Sequence, residues 1–172
     1  MVRALHSHCR GHWFEPSIVH NWLHHSSPPA GGGRAFRSHR KGELGLNSEN
    51  AVVIGSGILN ALNLRESKDI DVVVTEEKYK KLSDNNRFRK EQNHGREILN
   101  DDLFEIGTSW TVVGKNWKFD DLLNHSITID GVRYNTVEFL LDAKRRWIAD
   151  GEGRQKDIDD VKLMEQYLSG LK

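Results

Sequence analysis

The strongest constraint on the fold is a segment in which an apolar strand, a glycine-rich turn, a short helical stretch and a second apolar strand follow one another. Residues 52–57 read Val-Val-Ile-Gly-Ser-Gly, and residues 69–74 read Asp-Ile-Asp-Val-Val-Val. Because successive side chains of a strand point to opposite faces, Asp69 and Asp71 are predicted to face the same side of a sheet. Two neighbouring carboxylates repel each other, and a hard divalent cation relieves that repulsion. The segment therefore predicts a metal site.

The length and charge of the chain narrow the class of protein. Its 172 residues suffice for one domain with a core, and 25 basic residues balance 25 acidic ones. This neutrality gives no support to a general nucleic-acid or membrane-surface binder. The single cysteine, Cys9, excludes an internal disulfide and suits a reducing compartment. No apolar run approaches the about 20 residues that span a bilayer, and no signal peptide is evident, so we expect a cytoplasmic protein.

The composition changes sharply near residue 47. All three prolines and seven of the nine histidines precede residue 40. No helical or strand periodicity persists there, so residues 1–46 are predicted to be disordered and residues 47–172 to form the folded domain. The histidine spacings match no zinc motif. A second hypothesis is that the segment is a non-native extension, because Trp-Phe-Glu-Pro at positions 13–16 can be encoded by DNA resembling the TΨC-arm core of a tRNA gene.

From residue 47 onward, the apolar patterns predict a mixture of strands and helices. The strands are predicted at residues 51–54, 69–74, 88–92, 96–99, 103–106 and within 127–134, and the helices at 58–64, 76–82, 119–123, 136–149 and 158–168. Asn93-His94-Gly95 and Asp130-Gly131 predict two hairpin turns. This order of elements predicts an α+β domain, with a mixed β-sheet flanked by helices and two helices at the C-terminus.

The Gly55-Ser56-Gly57 turn is a candidate phosphate-binding element. Glycines permit a tight turn, and free N–H groups at the start of a helix can bind phosphate. Alone, the turn is explained equally well as a plain strand-to-helix connection. Beside Asp69 and Asp71 it indicates metal–nucleotide chemistry, because such chemistry uses a phosphate cradle next to paired carboxylates.

The full pattern is Gly-Ser, a short helix and Arg-x-Ser-x-Asp-h-Asp-h, where h is apolar. It resembles the DNA polymerase β-type nucleotidyltransferase superfamily, and most closely its small stand-alone bacterial members, including those of toxin–antitoxin systems. The resemblance covers about residues 51–168 and is tight over 52–74. It implies the nucleotidyltransferase fold, a triphosphate held by the turn, and Mg²⁺ or Mn²⁺ held by the acidic pair and a third carboxylate. The matching residues are Gly55, Ser56, Arg65, Ser67, Asp69 and Asp71.

Glu105 is our choice for the third carboxylate. Apart from Asp71, it is the only acid flanked by apolar residues within a predicted strand, in Phe-Glu-Ile at 104–106. A charge in that position is costly if it is buried without a partner, and a metal ion offers one. Alternatively, Glu105 faces solvent, as every second strand residue does. Asp101 and Asp102, at the start of the strand, are the other candidates.

The penultimate helix presents a lysine to the core. Asn135, with Glu138 three residues later, predicts the start of this helix. Lys144 lies four residues after Leu140 and therefore shares its inward face. A core-facing lysine requires an anionic partner, which is either a protein carboxylate or a nucleotide phosphate.

Lys156 and Asp157 open the last helix. A lysine followed by Lys-Asp-x-x-Asp on the next helix resembles the C-terminal pattern of several small nucleotidyltransferases. This resemblance implies that Lys144, Lys156 and Asp157 line the nucleotide-binding cleft, with Arg65 beside them. A purely structural interpretation is also open, in which Asp157 caps its helix and Asp160 stabilises the helix dipole. In that case Lys144 extends its ammonium group to water.

Two other enzyme folds share parts of this pattern. The glycines at 55–57, followed by Glu76 about 20 residues later, superficially match a dinucleotide-binding fingerprint. However, Asn60 occupies the third glycine position, and a Rossmann unit has no use for acids at the start of its second strand. A glycosyltransferase Asp-x-Asp motif normally follows its apolar strand, whereas these acids precede the valines at 72–74.

The resemblance implies a Mg²⁺-dependent transferase that moves an NMP group from an NTP, such as ATP, to an acceptor hydroxyl. The acceptor is left open between a small molecule, a tRNA end and a protein side chain, and a cognate antitoxin is a candidate partner. Tyr79, Trp110 and Trp117 either line the acceptor site or only pack. The alternative function is a catalytically inactive nucleotide-binding or antitoxin-like module on the same fold.

Overall fold

The computed structural model describes residues 44–93, 95–112 and 114–170. Most of the segment predicted to be disordered or non-native, residues 1–46, therefore lies outside the described residues, together with Cys9 and the histidines before residue 40. Leu44, at the start of the described part, is buried against the core. None of the helices in the described ranges is long and apolar enough to cross a bilayer.

The described residues form nine strands and five helices. In chain order they are β1 (Ala51–Val53), α1 (Gly57–Ala61), β2 (Ile70–Val74), α2 (Glu76–Ser83), β3 (Arg89–Asn93), β4 (Arg96–Asn100), β5 (Phe104–Gly107), β6 (Ser109–Val112), β7 (Lys115–Lys118), α3 (Phe119–Leu123), β8 (Ser126–Ile129), β9 (Val132–Asn135), α4 (Val137–Ala149) and α5 (Gln155–Gly170). Both predicted hairpins are present, β3–β4 and β8–β9. Asp130 and Gly131 both have positive φ, as the tight turn between β8 and β9 requires.

Seven strands form one mixed sheet in the order β3-β4-β5-β2-β1-β9-β8. β2 is antiparallel to β1 and parallel to β5, while β1 is parallel to β9. The predicted α+β class is confirmed, with a mixed sheet flanked by helices and two helices, α4 and α5, closing the C-terminal part. Between β2 and β5, the register places Asp71 opposite Glu105.

The two faces of the sheet bury separate apolar clusters. Along β2, Val73 packs in the cluster that includes residues of α1, α3, α4 and α5. Val72 and Val74 pack in the second cluster, which includes a residue of α2. Because side chains alternate along a strand, Asp71 lies on the face of Val73, and Glu105 lies on the face opposite Phe104 and Ile106. Both carboxylates therefore belong to the side that α4 and α5 cover.

The predicted start of α4 was wrong by one residue. Asn135 pairs with Ser126 at the end of β9, so its backbone continues the strand. Thr136 is the N-cap, and its side-chain oxygen accepts a hydrogen bond from the N–H of Phe139 at 3.2 Å. α5 begins at Gln155, three residues before the predicted position, and α1 ends at Ala61 instead of residue 64.

The two-stranded sheet of β6 and β7 was not predicted. Each strand has only four residues, and the strands pair Trp110 with Trp117. Gly114, with φ of +71°, lies in the connection between them. Strands this short are too brief to show a reliable alternation of apolar and polar residues.

Candidate active site

The glycine turn lies against the acidic strand. Gly55 has φ of +63°, and a Cβ added there would stand 3.2 Å from Oδ2 of Asp71. The N–H of Ile54 donates to the backbone oxygen of Asp71 at 2.9 Å. A Cβ at Gly57 would overlap the side chain of Val53. Gly57 is therefore favoured by close approach, whereas Gly55 is favoured by its left-handed backbone conformation and by the nearby carboxylate.

Ser56 connects the turn to the loop that carries the acids. Its Oγ lies 3.1 Å from Oγ of Ser67, and Ser67 donates to the backbone oxygen of Asp69 at 2.9 Å. Since Ser67 donates its hydroxyl proton to Asp69, Ser56 is the donor in the Ser56–Ser67 bond. This chain of hydrogen bonds fixes the turn and the first acid relative to each other.

The structure brings the three predicted carboxylates into one electrostatic group. Asp71 lies in β2 opposite Glu105, while Asp69 lies one residue before the strand and is exposed. Burial raises the pKa of the Asp71 carboxyl to about 7, and the neighbouring charges of Asp69 and Glu105 add to this rise. Lys156 and Arg96 act in the opposite direction on the same pKa. Asp71 is thus a half-buried carboxyl whose desolvation and acidic neighbours outweigh the two nearby positive charges.

These carboxylates do not form a preassembled metal centre. Within the described ranges, no three histidine, cysteine, aspartate or glutamate side chains are grouped closely enough to hold a metal ion. The carboxylate of Glu105 instead accepts a hydrogen bond from Nδ2 of Asn93, with Oε1 at 3.0 Å.

Asp101 and Asp102, the other candidates for the third carboxylate, have different surroundings. Asp101 accepts hydrogen bonds from the N–H groups of Leu103 and Phe104 and from Nε of Arg87. Although burial opposes it, these bonds hold the pKa of the Asp101 carboxyl below its usual value. Asp102 is exposed. The hydrogen bonds of Asp101 stabilise the turn into β5.

A buried ion network joins α4, α5 and the loop after α1. Nζ of Lys144 lies 2.5 Å from Oδ1 of Asp157 and 3.0 Å from Oδ2 of Asp160. The guanidinium of Arg65 binds both carboxylate oxygens of Asp160, at 2.5 and 2.8 Å. The N–H and Nε of Arg154 each lie 3.0 Å from Oδ2 of Asp157. We call these five residues the charge network.

The charge network gives Lys144 and Asp157 partners within the protein. Lys144 is only 4% exposed and Asp157 only 2%, so neither charge is solvated by bulk water. Although burial opposes it, the bonds from Lys144 and Arg154 lower the pKa of the Asp157 carboxyl. The bond from the Arg154 N–H also shows that Asp157 caps α5. Asp157 therefore both caps its helix and lines the cleft.

One open cleft of about 850 Å³ contains every site residue expected from the sequence. These residues are Gly55, Ser56, Arg65, Asp69, Asp71, Glu105, Lys144, Lys156 and Asp157. They come from the glycine turn, the following loop, two adjacent strands and the two C-terminal helices. These residues are up to 102 positions apart in the sequence, from 55 to 157. In the folded protein they all line the same cavity.

Several lining residues were missed by sequence reasoning. They are Asn93, Arg96, Ser109, Thr111, Trp147, Asp150, Glu152 and Arg154. Asn93 and Arg96 lie at the hairpin turn that the sequence predicted. A predicted turn does not indicate which other strands its residues will contact, so their place in the cleft was not predicted. Trp147 follows Lys144 by three residues, and this helical spacing was the available signal.

The aromatic candidates divide between lining and packing. Trp110 lines the cleft, and its ring meets that of Trp147 edge-on, with centroids 6.0 Å apart. Trp117 packs against Phe139, with centroids 4.8 Å apart. Tyr79 donates to Oε1 of Glu97 at 3.1 Å. Among the three predicted aromatics, Trp110 alone lines this cavity.

Two solved structures of the antibiotic-resistance factor ANT(2″)-Ia are similar to this chain. The crystal structure of its complex with adenylyl-2″-tobramycin has 16% sequence identity and a TM-score of 0.47, and the match covers 76% of this chain and 84% of that one. The solution structure has the same identity and TM-score, with 88% and 83% covered. Neither a family model nor a curated protein matches the chain. At this TM-score the similarity carries no argument, so the assignment of the site rests on the geometry of its own residues.

Proposed function

We propose that the protein is a metal-dependent nucleotidyltransferase of the DNA polymerase β type, which transfers an NMP group from an NTP to an acceptor hydroxyl. The observation that supports this proposal is the convergence on one cleft of all nine residues expected for that chemistry. A chance resemblance over residues 52–74 gives no reason for Glu105 and the two C-terminal helices to reach the same cavity.

The donor set suits Mg²⁺ or Mn²⁺. Asp69, Asp71 and Glu105 offer only hard carboxylate oxygens, which are the ligands that these ions prefer. The pKa of Asp71 is raised to about 7 by burial and by its two acidic neighbours, so these effects outweigh the positive charges of Lys156 and Arg96. When bound there, a divalent ion neutralises phosphate charge and lowers the pKa of an attacking hydroxyl.

The residues of the chain itself provide binding and orientation. Gly55 lets the backbone approach the terminal phosphates closely, and the hydroxyl of Ser56 is available to a phosphate if it leaves Ser67. The exposed ammonium of Lys156 adds positive charge on the side of Asp71. In the transfer, the acceptor hydroxyl loses its proton to solvent water and its oxygen forms a bond to the α-phosphorus. The bond from that phosphorus to the oxygen of the β-phosphate breaks, and pyrophosphate leaves with the electron pair.

Lys144, Arg65 and Asp157 have a different role in this proposal. Because their charges are already paired inside the protein, they hold α4 and α5 against the glycine turn. The positive charges of Lys144 and Arg65 still contribute to the potential that attracts a triphosphate. The three residues therefore shape the nucleotide site, and the exposed Lys156 supplies an ammonium group that can contact a phosphate.

The acceptor remains open between a small-molecule hydroxyl, a tRNA end and a protein side chain. We propose a cytoplasmic location, where NTP and Mg²⁺ are both available. An antitoxin or other partner protein is a further proposal, and it follows only from the resemblance to small nucleotidyltransferases of toxin–antitoxin systems.

The test is a transfer assay with the full chain. Each of the four NTPs, labelled at the α-phosphate, is incubated with Mg²⁺, the protein and a cell extract, and the labelled product is isolated. We expect one NTP to label a macromolecule or a small molecule, and Asp71→Asn to abolish labelling. Asp142→Asn, which makes the same change at an exposed position of α4, should have no effect.

Two results would contradict the proposal. If Asp71→Asn keeps full activity, the carboxylates at 69, 71 and 105 do not form the reaction centre. If the protein binds an NTP tightly but transfers nothing from any of the four, the alternative of an inactive nucleotide-binding or antitoxin-like module is favoured.

A further inference from the structure

The tip of the β3–β4 hairpin reaches into the cleft. β3 forms one edge of the seven-stranded sheet, and its first four residues are exposed. Asn93, its last residue, is half-buried and pairs in register with Arg96, the first residue of β4. Both residues line the cleft. The hairpin thus has an exposed edge strand, β3, and a partly buried strand, β4, and its end at Asn93 and Arg96 contributes polar side chains to the cleft.

Asn93 bonds directly to the proposed third metal ligand. Its Nδ2 donates to Oε1 of Glu105 at 3.0 Å. A glutamate side chain has three rotatable bonds, and this bond holds one of its two carboxylate oxygens. The other oxygen, Oε2, keeps a defined direction as a result. Groups that bond a metal-binding carboxylate in this way orient it and raise metal affinity.

Register alone does not explain this bond. Asn100 stands directly opposite Glu105 in the antiparallel pairing of β4 and β5. Its Nδ2 nevertheless donates to Oε2 of Glu91 at 3.0 Å, in a solvent-exposed bond. The same residue type is therefore present at two places near Glu105, and the one at the hairpin tip makes the bond.

Arg96 anchors the tip. Its Nη1 donates to the backbone oxygen of Ser109, the first residue of β6. This contact joins the seven-stranded sheet to the separate two-stranded sheet beside the cleft. The positions of Asn93 and Arg96 are coupled because they face each other across the last register pair of the hairpin.

We propose that Asn93 is a positioning residue that orients Glu105 for the divalent cation, and that Arg96 holds the hairpin tip in place for this role. The inference rests on the proposed function, since it takes Glu105 as a metal ligand. It assigns a role to Asn93 and Arg96, which belong to none of the motifs that carry the resemblance to nucleotidyltransferases.

The experiment measures Mn²⁺ binding to the full chain without nucleotide, with free Mn²⁺ counted by electron paramagnetic resonance. Substitution of groups that orient metal ligands weakens metal binding by about 10-fold or more. We therefore expect Asn93→Ala to weaken Mn²⁺ binding about 10-fold, with the thermal midpoint little changed. Asn100→Ala removes the same side chain from a bond to Glu91 and should leave Mn²⁺ binding unchanged. If Asn93→Ala fails to fold, Asn93→Thr, which keeps a good strand residue but is too short to reach Glu105, takes its place.

The outcomes separate the inference from the proposed function. If Asp71→Asn loses Mn²⁺ binding while Asn93→Ala and Asn93→Thr bind it like the wild type, the positioning role is overturned and the metal site stands. If Asn93→Ala and Asn100→Ala weaken binding equally, the effect is one of general strand stability, which also overturns it. If the wild type binds no Mn²⁺, the proposed function fails and the inference fails with it.

Discussion

Gly55 and Asp71 approach each other so closely that a Cβ at residue 55 would stand 3.2 Å from Oδ2 of Asp71, and the carboxylate would have to move by a few tenths of an ångström to make room for it. The turn proposed to hold phosphates and the carboxylate proposed to hold the metal are therefore in van der Waals contact. The backbone bond from the N–H of Ile54 to the oxygen of Asp71, at 2.9 Å, also ties the strand before the turn to the acidic strand.

Gly55→Ala should therefore abolish transfer while the protein stays folded. The left-handed conformation costs alanine about 1–2 kcal/mol, and the new methyl group additionally displaces Asp71. Gly131→Ala is the matched control, because Gly131 has φ of +74° but open space around it. Urea unfolding should show similar losses of stability for both variants, whereas Mn²⁺ binding and transfer should fall only in Gly55→Ala. Equal transfer activity in the two variants would show that the glycine turn has no role in the reaction.

Asp71→Asn should stabilise the metal-free protein increasingly as the pH rises. The pKa of Asp71 is raised from 3.8 to about 7 in the folded state, chiefly by burial. The folded state thus binds more protons than the unfolded state between these values, so the wild type loses stability as pH rises from about 4 to about 7. Asparagine does not titrate and avoids this loss. Between pH 5 and 8, the free energy of unfolding of Asp71→Asn minus that of the wild type should grow by roughly 2–3 kcal/mol, at about 1.4 kcal/mol per pKa unit.

Thermal or urea unfolding in EDTA at several pH values measures this difference. Asp142→Asn, on the exposed face of α4, provides the control and should show a constant difference. Saturating Mn²⁺ should stabilise the wild type more at pH 8 than at pH 5, because the ionised carboxyl is the form that binds. A difference between Asp71→Asn and wild type that does not change with pH would show that Asp71 titrates normally.

Lys144→Met should destabilise the protein by about 3 kcal/mol, because removal of one partner leaves buried carboxylates less compensated. Arg145, the next residue of α4, offers a direct comparison. Its pair with Glu165 is also short, at 2.8 Å, but the two side chains are 52% and 47% exposed. Arg145→Met should therefore cost less than about 1 kcal/mol. Urea unfolding of both variants at pH 7 gives the two values, and equal values would show that the charge network adds nothing beyond a surface pair.

Lys156→Gln should weaken binding of a non-hydrolysable NTP analogue about 10-fold without changing the fold, since one charge-assisted contact to phosphate contributes about 1.5 kcal/mol or more. Lys156 is exposed and its charge acts on Asp71, which places it on the reactive side of the cleft. Lys162→Gln, at an exposed position farther along α5, is the control. Isothermal titration calorimetry with Mg²⁺ present measures both. Equal affinity in the two variants would assign Lys156 to the solvated surface of the helix.

Local patterns predicted the elements that depend on local physics. The glycine turn, the acids before three valines and the Asp130-Gly131 hairpin each follow from backbone preferences or from side-chain alternation within a few residues. The inward face of Lys144 also followed from helical spacing. Its partner did not, because Asp157 and Asp160 lie on another helix, and the packing of α4 on α5 decides which carboxylates it meets.

Contacts between distant segments account for the rest. Asn93 meets Glu105 because β3 and β4 fold beside β5, and no pattern within the hairpin indicates that neighbour. Asn135 is of a residue type that favours the N-cap of a helix. Its backbone instead pairs with Ser126 and extends β9, so that Thr136 is the N-cap. In both cases, contacts with distant segments decide which of several locally acceptable arrangements the residue adopts.

The bond between Arg65 and Asp160 joins positions 95 residues apart. During translation, the glycine turn and the acids leave the ribosome well before α5, which supplies Asp157 and Asp160. Until then, the nascent chain carries Arg65 and Lys144 without the carboxylates that neutralise them. The cleft is therefore completed only after α5 has been synthesised, and a product truncated before α5 would leave Arg65 and Lys144 without these two carboxylates.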